Sequence, residues 1–401
     1  MKSRTFSALR HRNFRLFFIG QSISLVGTWM QSMAQGWLVL KLTNSAFYLS
    51  LVQAMSSLPM LFLVLIGGVV ADRVSKRNLL LVTQALSMLL ALLLAVLVSL
   101  GAVRVWHVVF IAGLLGVVNT FDVPGRQSFL VEMVGKEDLT NGIALNSAMF
   151  NGARIVGPAI GGILIGAVGI AACFYINAAS YIAIIIMLTM MRFDEEKAVR
   201  EHRPMLRELK EGLGYVRRAP AVSSFIFMVA ITSLFAIPYI ALMPVFARDI
   251  LHIGAKGLGL LMGSAGLGAM MGALTIASRG VKRRGLTAFV SAFAAAFAIL
   301  AFSFSRTPLL SYALLVVVGW GMISQLAIIN SMLQNDVPDE LRGRVMSLYV
   351  LVFLGLIPVG NLIVGTAAHY IGTPYAVASG ACVCIVTYAA LIFLKRELLS
   401  H

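Results

Sequence analysis

Apolar stretches of about twenty residues or more, broken by short polar turns, repeat along this chain from end to end. Wound as a helix, such a stretch crosses the ~30 Å hydrocarbon core of a bilayer. Twelve spans are predicted, at roughly 14–40, 47–70, 79–100, 106–124, 139–168, 170–191, 221–246, 257–278, 287–304, 308–333, 345–370 and 375–394. The second and third contain no Asp, Glu, Lys or Arg at all. The pattern predicts an all-α integral membrane protein of twelve transmembrane helices with no large soluble domain. Composition agrees: 12% of residues are charged and 59% hydrophobic, against about 25% charged in soluble proteins.

Polar positions inside the spans are ordered. In the first, Gln21, Ser24, Thr28, Gln31 and Gln35 recur at i, i+3, i+7, i+10 and i+14, one stripe of a helix. Hydrocarbon offers such a stripe no hydrogen-bond partner, so it has to face protein or water. Arg154 is the one charge deep in a span, about 20 Å from the near end of its helix. An intramembrane arginine is costly and normally faces a wet cavity or a partner. It shares a face with Ser147 and Asn151, and no acid is expected at its depth. Its partners are then carbonyls, amides, water or substrate. A role as anion contact or coupling switch and a structural role at the Pro158 turn both remain open.

Charge fixes the expected topology. The net charge of +16 could suggest nucleic acid, but the bases are not gathered on one soluble face. With the N-terminus in the cytoplasm, 26 of the 32 Lys and Arg fall in cytoplasmic segments and 5 in outer loops, as the positive-inside rule requires. The basic N-terminus resembles a signal peptide, yet the apolar run after it is too long and lacks a small-residue cleavage site, so it reads as a retained first helix. Residues 192–220 hold 8 bases and 6 of the 16 acids. Pro204, Leu206, Leu209 and Leu213 suggest an amphipathic helix there, a cytoplasmic linker between halves at 1–191 and 221–401. Cys173, Cys382 and Cys384 lie in apolar runs. The six histidines form no ligand cluster, and no nucleotide loop or nucleophile–base pair is visible. No enzyme, metal, cofactor or nucleic acid is expected.

Two echoes support the division into halves. Asp72-Arg73-Val74-Ser75-Lys76-Arg77 is echoed by Ser278-Arg279-Gly280-Val281-Lys282-Arg283, and Val134 to Leu139 by Val337 to Leu341. Both offsets are close to half the chain length.

The turn Gly68-Val69-Val70-Ala71-Asp72-Arg73-Val74-Ser75-Lys76-Arg77 resembles the loop 2–3 signature of the major facilitator superfamily, with Ser75 where the family usually has glycine. Asn119-Thr120-Phe121-Asp122-Val123-Pro124-Gly125-Arg126-Gln127, Gly27 to Gln31, Asn146 to Asn151 and Arg342 to Ser347 are similar to a bacterial exporter subgroup that includes enterobactin exporters and macrolide-efflux proteins. Gly157-Pro158-Ala159-Ile160-Gly161-Gly162 resembles the core of the motif found in exporting members, although Ala153 replaces an upstream glycine. The arginine that many members carry in helix 4 is missing, with Asn119 the polar residue there.

The resemblance implies two pseudo-symmetric six-helix halves working by alternating access. Gly68, Asp72, Arg73, Lys76, Arg77 and Asp122 would form the cytoplasmic gate, with Lys76 or Arg77 meeting Asp122. The stripe of span 1 would line a central cavity together with Asn119, Asn151 and Arg154. Thr232, Phe235 and Tyr239 of span 7, Trp320, Ser324 and Gln325 of span 10, and Tyr349 and Phe353 of span 11 would face it. An amide- and aromatic-lined cavity with one cation suits a bulky amphipathic molecule. Gly157, Pro158, Gly161, Gly162, Gly259 and Gly263 would pack spans 5 and 8 where the halves meet; ordinary tight packing explains them equally well. The implied task is export of drug-like compounds or siderophores across a bacterial inner membrane. The implied partners are a small organic substrate, protons as coupling ion with Asp122 their carrier, and membrane lipid, the chain acting as a monomer. Alternatives are a lysophospholipid flippase of the same fold and a non-transporting membrane sensor.

Overall fold

The computed structural model describes residues 4–192, 205–278 and 283–399. Among these the regular structure is helical: α1 Arg12–Thr43, α2 Ala46–Arg73, α3 Lys76–Ser99, α4 Val105–Val134, α5 Leu139–Ala167, α6 Ile170–Met190 and α7 Met205–Arg218. There follow α8 Pro220–Ile250, α9 Gly254–Ser278, α10 Arg284–Phe304, α11 Pro308–Asp336, α12 Asp339–Ile371 and α13 Thr373–Leu394. Eleven of the described helices are long and apolar enough to cross a membrane. The twelfth expected span, α1, is 32 residues long and so long enough to cross; its polar stripe is what lowers its hydropathy.

Each set of six closes on itself before meeting the other. In the first set α1 packs on α5 and α6, α2 on α4, and α3 on α4 and α6; in the second α11 packs on α9 and α10, and α10 on α13. The two sets meet mainly through α5 with α9 and α2 with α12. Both chain ends and the linker lie at one end of the bundle, here the linker face. There the Asn13 amide bonds the backbone of Arg192 through both its atoms, at 2.7 and 3.3 Å. Lys395 donates to Ser224 Oγ at 3.0 Å. The expected amphipathic helix is α7, tied to α12 by Glu211 and Arg344 at 2.6 Å. Pro204 lies outside the described residues, as do the side chains of Leu206 and Leu209; the second copy of the loop echo lies outside from Arg279 to Lys282.

Two helices depart from expectation. The pattern predicts the end of span 4 near residue 124, where its apolar run fades. Instead α4 runs to Val134 with Pro124 inside it, and Ser128 Oγ donates to the Pro124 carbonyl at 3.0 Å. Asp122 therefore sits about 18 Å from the end of its helix, not at it. In α8 the turns at Thr232–Ala236 and Phe246–Ile250 widen to π geometry. The Ile237 amide reaches back five residues to Thr232, at 3.0 Å. Pro238, next in line, has no amide to give, and a wide turn is a common way to absorb that loss.

The cores of the two sets differ. One apolar cluster runs through α8–α13 and takes in Met33 of α1. The first six helices hold two clusters, one around Phe14, Phe17 and Phe129 and one around Leu38, Val108 and Phe174. Between these lies a layer of polar side chains.

Candidate functional site

The polar layer begins at Asp122, which is 4% exposed. Thr83 Oγ1 and Gln84 Nε2 of α3 donate to its Oδ1 at 2.9 and 2.7 Å. Arg126, one turn along α4, lies 3.3 Å from Oδ2. A buried carboxylate needs such partners, since an unpaired one would shed its charge. Gln84 leads on to Ser24 of α1, whose Oγ is 3.5 Å from Gln84 Oε1. Thr28 Oγ1 donates to the Ser24 carbonyl at 2.9 Å and lies 3.3 Å from the Tyr181 hydroxyl of α6. Thr28 and Tyr181 are cavity wall, so the hydrogen bonds lead from the acid to the cavity by way of the Ser24 backbone carbonyl.

The cavity holds about 200 Å³. Gln31, Gln35 and Thr28 of α1, Gln53 and Ser56 of α2 and Asn119 of α4 line one side; Ile240, Ala241 and Pro244 of α8 and Met262 of α9 line the other. Toward the face opposite the linker the halves are bridged by a guanidinium. There Arg248 at the end of α8 donates to Leu40 O and Asn44 Oδ1 at 3.2 and 2.7 Å.

The stripe of α1 thus divides. Thr28, Gln31 and Gln35 line the cavity, while Gln21 and Ser24 are buried toward the linker face. The residues expected opposite do not reach it. Tyr239 is buried in the C-terminal core and Phe235 packs against that core. Gln325 is spent on Thr232 Oγ1 at 2.8 Å, which in turn meets the Tyr388 hydroxyl at 2.7 Å. The Tyr349 hydroxyl donates to Leu326 O at 3.2 Å, and Trp320 packs its backbone under Gly268 and Gly272. The π turns, invisible in the hydropathy pattern, turn α8 so that Ile240 and Pro244 form the wall.

Arg154 also lies elsewhere. Its guanidinium stands 5.5 Å from the Trp29 ring, itself edge-on to Phe150. Arg154 is not among the residues that line the cavity, although its charge reaches Tyr239 of α8, next to the wall residue Ile240. The expectation of one cation among the lining amides is corrected on that ground. Asn151 bonds the Ser147 carbonyl at 2.9 Å and is not part of the wall.

The gate pairing is corrected as well. Lys76 pairs with Glu132 on the unforeseen last turns of α4, and Arg77 donates to the carbonyls of Leu188 and Thr189 at 2.7 and 2.8 Å. Neither meets Asp122. The Asp72 side chain lies outside the described residues, and Arg73 is exposed. Gly68 faces open space, whereas a methyl at Gly67 would strike the Thr120 carbonyl. Of the interface glycines, Gly259 sits against the Pro158 carbonyl, and a methyl on Gly162 would be 2.7 Å from Ala255 O. Gly263 has ordinary clearance from Ile155, while Gly157 and Gly161 admit Trp29, Met30 and Met33 of α1, within one half.

Sequence reading missed Thr83, Gln84, Asn177, Ser180 and Tyr181. Its available signal was the clustering of polar residues at 83, 84 and 87 and at 177, 180 and 181 in spans otherwise free of charge.

At the linker face Asp138 precedes α5 and meets His11 Nε2 at 2.8 Å. Hydrogen bonds from Ser7 and His11, then the charges of His11 and Arg10, hold its carboxyl below the ordinary range, against a smaller desolvation effect.

Similarity to known proteins matches this architecture. The chain is 24% identical over 396 residues, 96% of each chain, to the staphyloferrin A transporter of Staphylococcus aureus. It is 28% identical over 349 residues, 84% of each chain, to the multidrug efflux pump Tap of Mycolicibacterium fortuitum. A solved bacterial homolog of the human lysosomal transporter Spinster, in an inward-facing unoccupied conformation, superposes with a TM-score of 0.74 at 12% identity, covering 100% of this chain and 98% of that one. Residues 3–399 match the family model described as transmembrane secretion effector. With twelve helices in this packing and a match across nearly its whole length, the chain belongs to the transmembrane secretion effector family, membrane transporters of the major facilitator type.

Proposed function

We propose that the protein exports small organic molecules, drug-like compounds or siderophores, from a bacterial cytoplasm by alternating access, in exchange for protons. The observation that supports this reading is the set of hydrogen bonds that runs from buried Asp122 through Gln84 and Ser24, by way of the Ser24 backbone carbonyl, to Thr28 and Tyr181 on the cavity wall. In that run Asp122 is the one carboxylate, the ordinary kind of proton carrier within a membrane. Once protonated, Asp122 is a poorer acceptor for Thr83 and Gln84 and no longer an ion-pair partner for Arg126. The pull on Gln84 and Ser24 relaxes, and α1 with its cavity residues changes its preferred packing. That is a two-state element biased from both ends, the minimum that coupling requires.

The charge asymmetry puts the linker face in the cytoplasm and the face bridged by Arg248 outside. The junction of α2 and α3, with Gly68, Asp72 and Arg73 in the last turns of α2 and Lys76 and Arg77 at the start of α3, acts as the cytoplasmic gate, Lys76 engaging Glu132 in place of Asp122. Substrate binds against Thr28, Gln31, Gln35 and Asn119. Arg154, held over Trp29, transmits movement between α1 and α5.

The test is internal pH in proteoliposomes of pure protein during addition of antibiotics, siderophores and lysolipids. Compound-dependent proton movement that disappears in Asp122→Asn and in Asp72→Asn supports proton-coupled export. Flux without proton movement removes the antiport, competition by lysolipids alone favours the flippase, and binding without flux favours the sensor.

A further inference from the structure

One polar group in the cavity has its orientation set from behind. Asn177 Nδ2 of α6 donates to Gln31 Oε1 at 2.7 Å. The Asn177 Oδ1 lies 3.1 Å from Ser180 Oγ, whose one proton it shares with the Asn177 backbone carbonyl at 2.8 Å. Gly27 leaves room for this pair: a methyl there would come within 2.5 Å of Asn177 Oδ1. The carbonyl of Gln31 is therefore satisfied inside the protein, and its amide NH2 is what faces the cavity. Gln31 is 5% exposed and lines the cavity, and its Nε2 has no partner among the described residues. It is a buried donor held ready for an oxygen.

The rest of the wall narrows what that oxygen can belong to. Gln35, Gln53 and Asn119 add neutral amides, while Ile240, Ala241, Pro244 and Met262 give an apolar side. The described lining contains no Asp, Glu, Lys or Arg; Arg154 is not part of it, and its guanidinium is stacked over Trp29. A carboxylate or phosphate entering here would lose its water with no counter-charge to meet it, a heavy cost in a low-dielectric site. A carbonyl or ether oxygen would lose little and gain the Gln31 bond.

We propose that the cavity selects uncharged amphiphiles bearing a hydrogen-bond-accepting oxygen, met by Gln31 as a donor that Asn177 orients, and that it discriminates against anions. This rests on the export reading and adds the chemical class of its substrate. Asn177 is a positioning residue, since it acts only through Gln31.

Matched probes on one scaffold test it: dansylglycine methyl ester, its free acid dansylglycine, and the cationic dansyl ethylenediamine. Binding to the purified full chain in nanodiscs is followed by dansyl fluorescence. The ester should bind at least about tenfold more tightly than the acid. Gln31→Leu should weaken the ester about tenfold and leave the acid unchanged, narrowing the ratio. Asn177→Leu should narrow it less, by about threefold, and Asn177→Gln should recover part of it. Gln31→Glu should reverse the order in favour of the cation.

Equal or tighter binding of the acid overturns the proposal. So does an ester affinity unmoved in a Gln31→Leu protein that melts at the wild-type temperature, or no binding of the ester at all. Flux of any compound in proteoliposomes reports on the export reading separately, so an exporter that prefers anions would refute this inference alone.

Discussion

The first six helices and the last six both bury polar side chains, but of different kinds and to different effect. In α1–α6 they are Gln21, Gln31, Gln84, Asn177 and Asp122 with neighbouring hydroxyls, and several are joined across helices into one layer that splits the apolar core. In α8–α13 they are mostly serines. Ser224 and Ser303 bond their own helix backbones, while Ser233, Ser291 and Ser324 have no partner among the described residues. Thr232, Gln325 and Tyr388 make a cross-helix group of side chains there, and it lies within an unbroken apolar core. The contrast is one of placement: the first six helices gather the joined polar layer, while the last six bring an apolar wall to the cavity and pack closely on α5 at Gly259.

The sharpest way to break that contrast is at Asp122. Asp122→Ala leaves Arg126 and two donors without their acceptor and should cost about 3 kcal/mol or more in unfolding, measured by denaturant melts in micelles. Asp122→Asn should keep most of the fold and abolish transport; wild-type flux in that variant would remove the chemical role of the first half. The counterpart is Gln325→Leu. Its bond to Thr232 is worth about 0.6 kcal/mol, the mean for such bonds in membranes, and flux should stay within about twofold of wild type. A transport loss there as large as at Asp122 would erase the distinction.

Next in size is the Lys76–Glu132 pair. A double-mutant cycle should give about 0.5 kcal/mol, shrinking with added salt, because both side chains are partly exposed. The smallest effect is at Asp138. Its carboxyl is held below its ordinary value, so its contribution to stability is complete above the unfolded-state pKa and is lost as pH falls through the folded one. Asp138→Asn should flatten the acid limb of a stability–pH curve and leave neutral pH little changed.

Much of the architecture was legible because lipid makes the rules strict. Length, bareness of charge and the bias of Lys and Arg placed the helices and the linker, and the stripe at Thr28, Gln31 and Gln35 pointed to the wall it forms. The errors share one cause. The apolar run of span 4 fades near residue 124, so the pattern does not show the last turns of α4, which carry Glu132, the partner of Lys76. Phe235, Tyr239, Trp320 and Gln325 were placed by assuming regular α8 and α11 faces, and the π turns of α8 change which residues look inward. A hydropathy pattern records how often a polar residue occurs, not which way a locally widened turn aims it. Likewise Arg154 was recognisable as unusual, but nothing in its own helix marks Trp29 as the ring beneath it.

The Arg248 contact has a kinetic side. On the linker face the two halves are joined by a covalent segment and can never separate fully. On the opposite face Arg248 adds a single guanidinium clasp, gripping the carbonyl of Leu40 and the side chain of Asn44 while Asp249 braces it from its own helix. A clasp made of few, partly wetted bonds can be broken in one thermal event. Under the proposed export cycle, Arg248→Lys is expected to loosen this clasp and shorten the dwell before this face opens, without touching the residues that line the cavity.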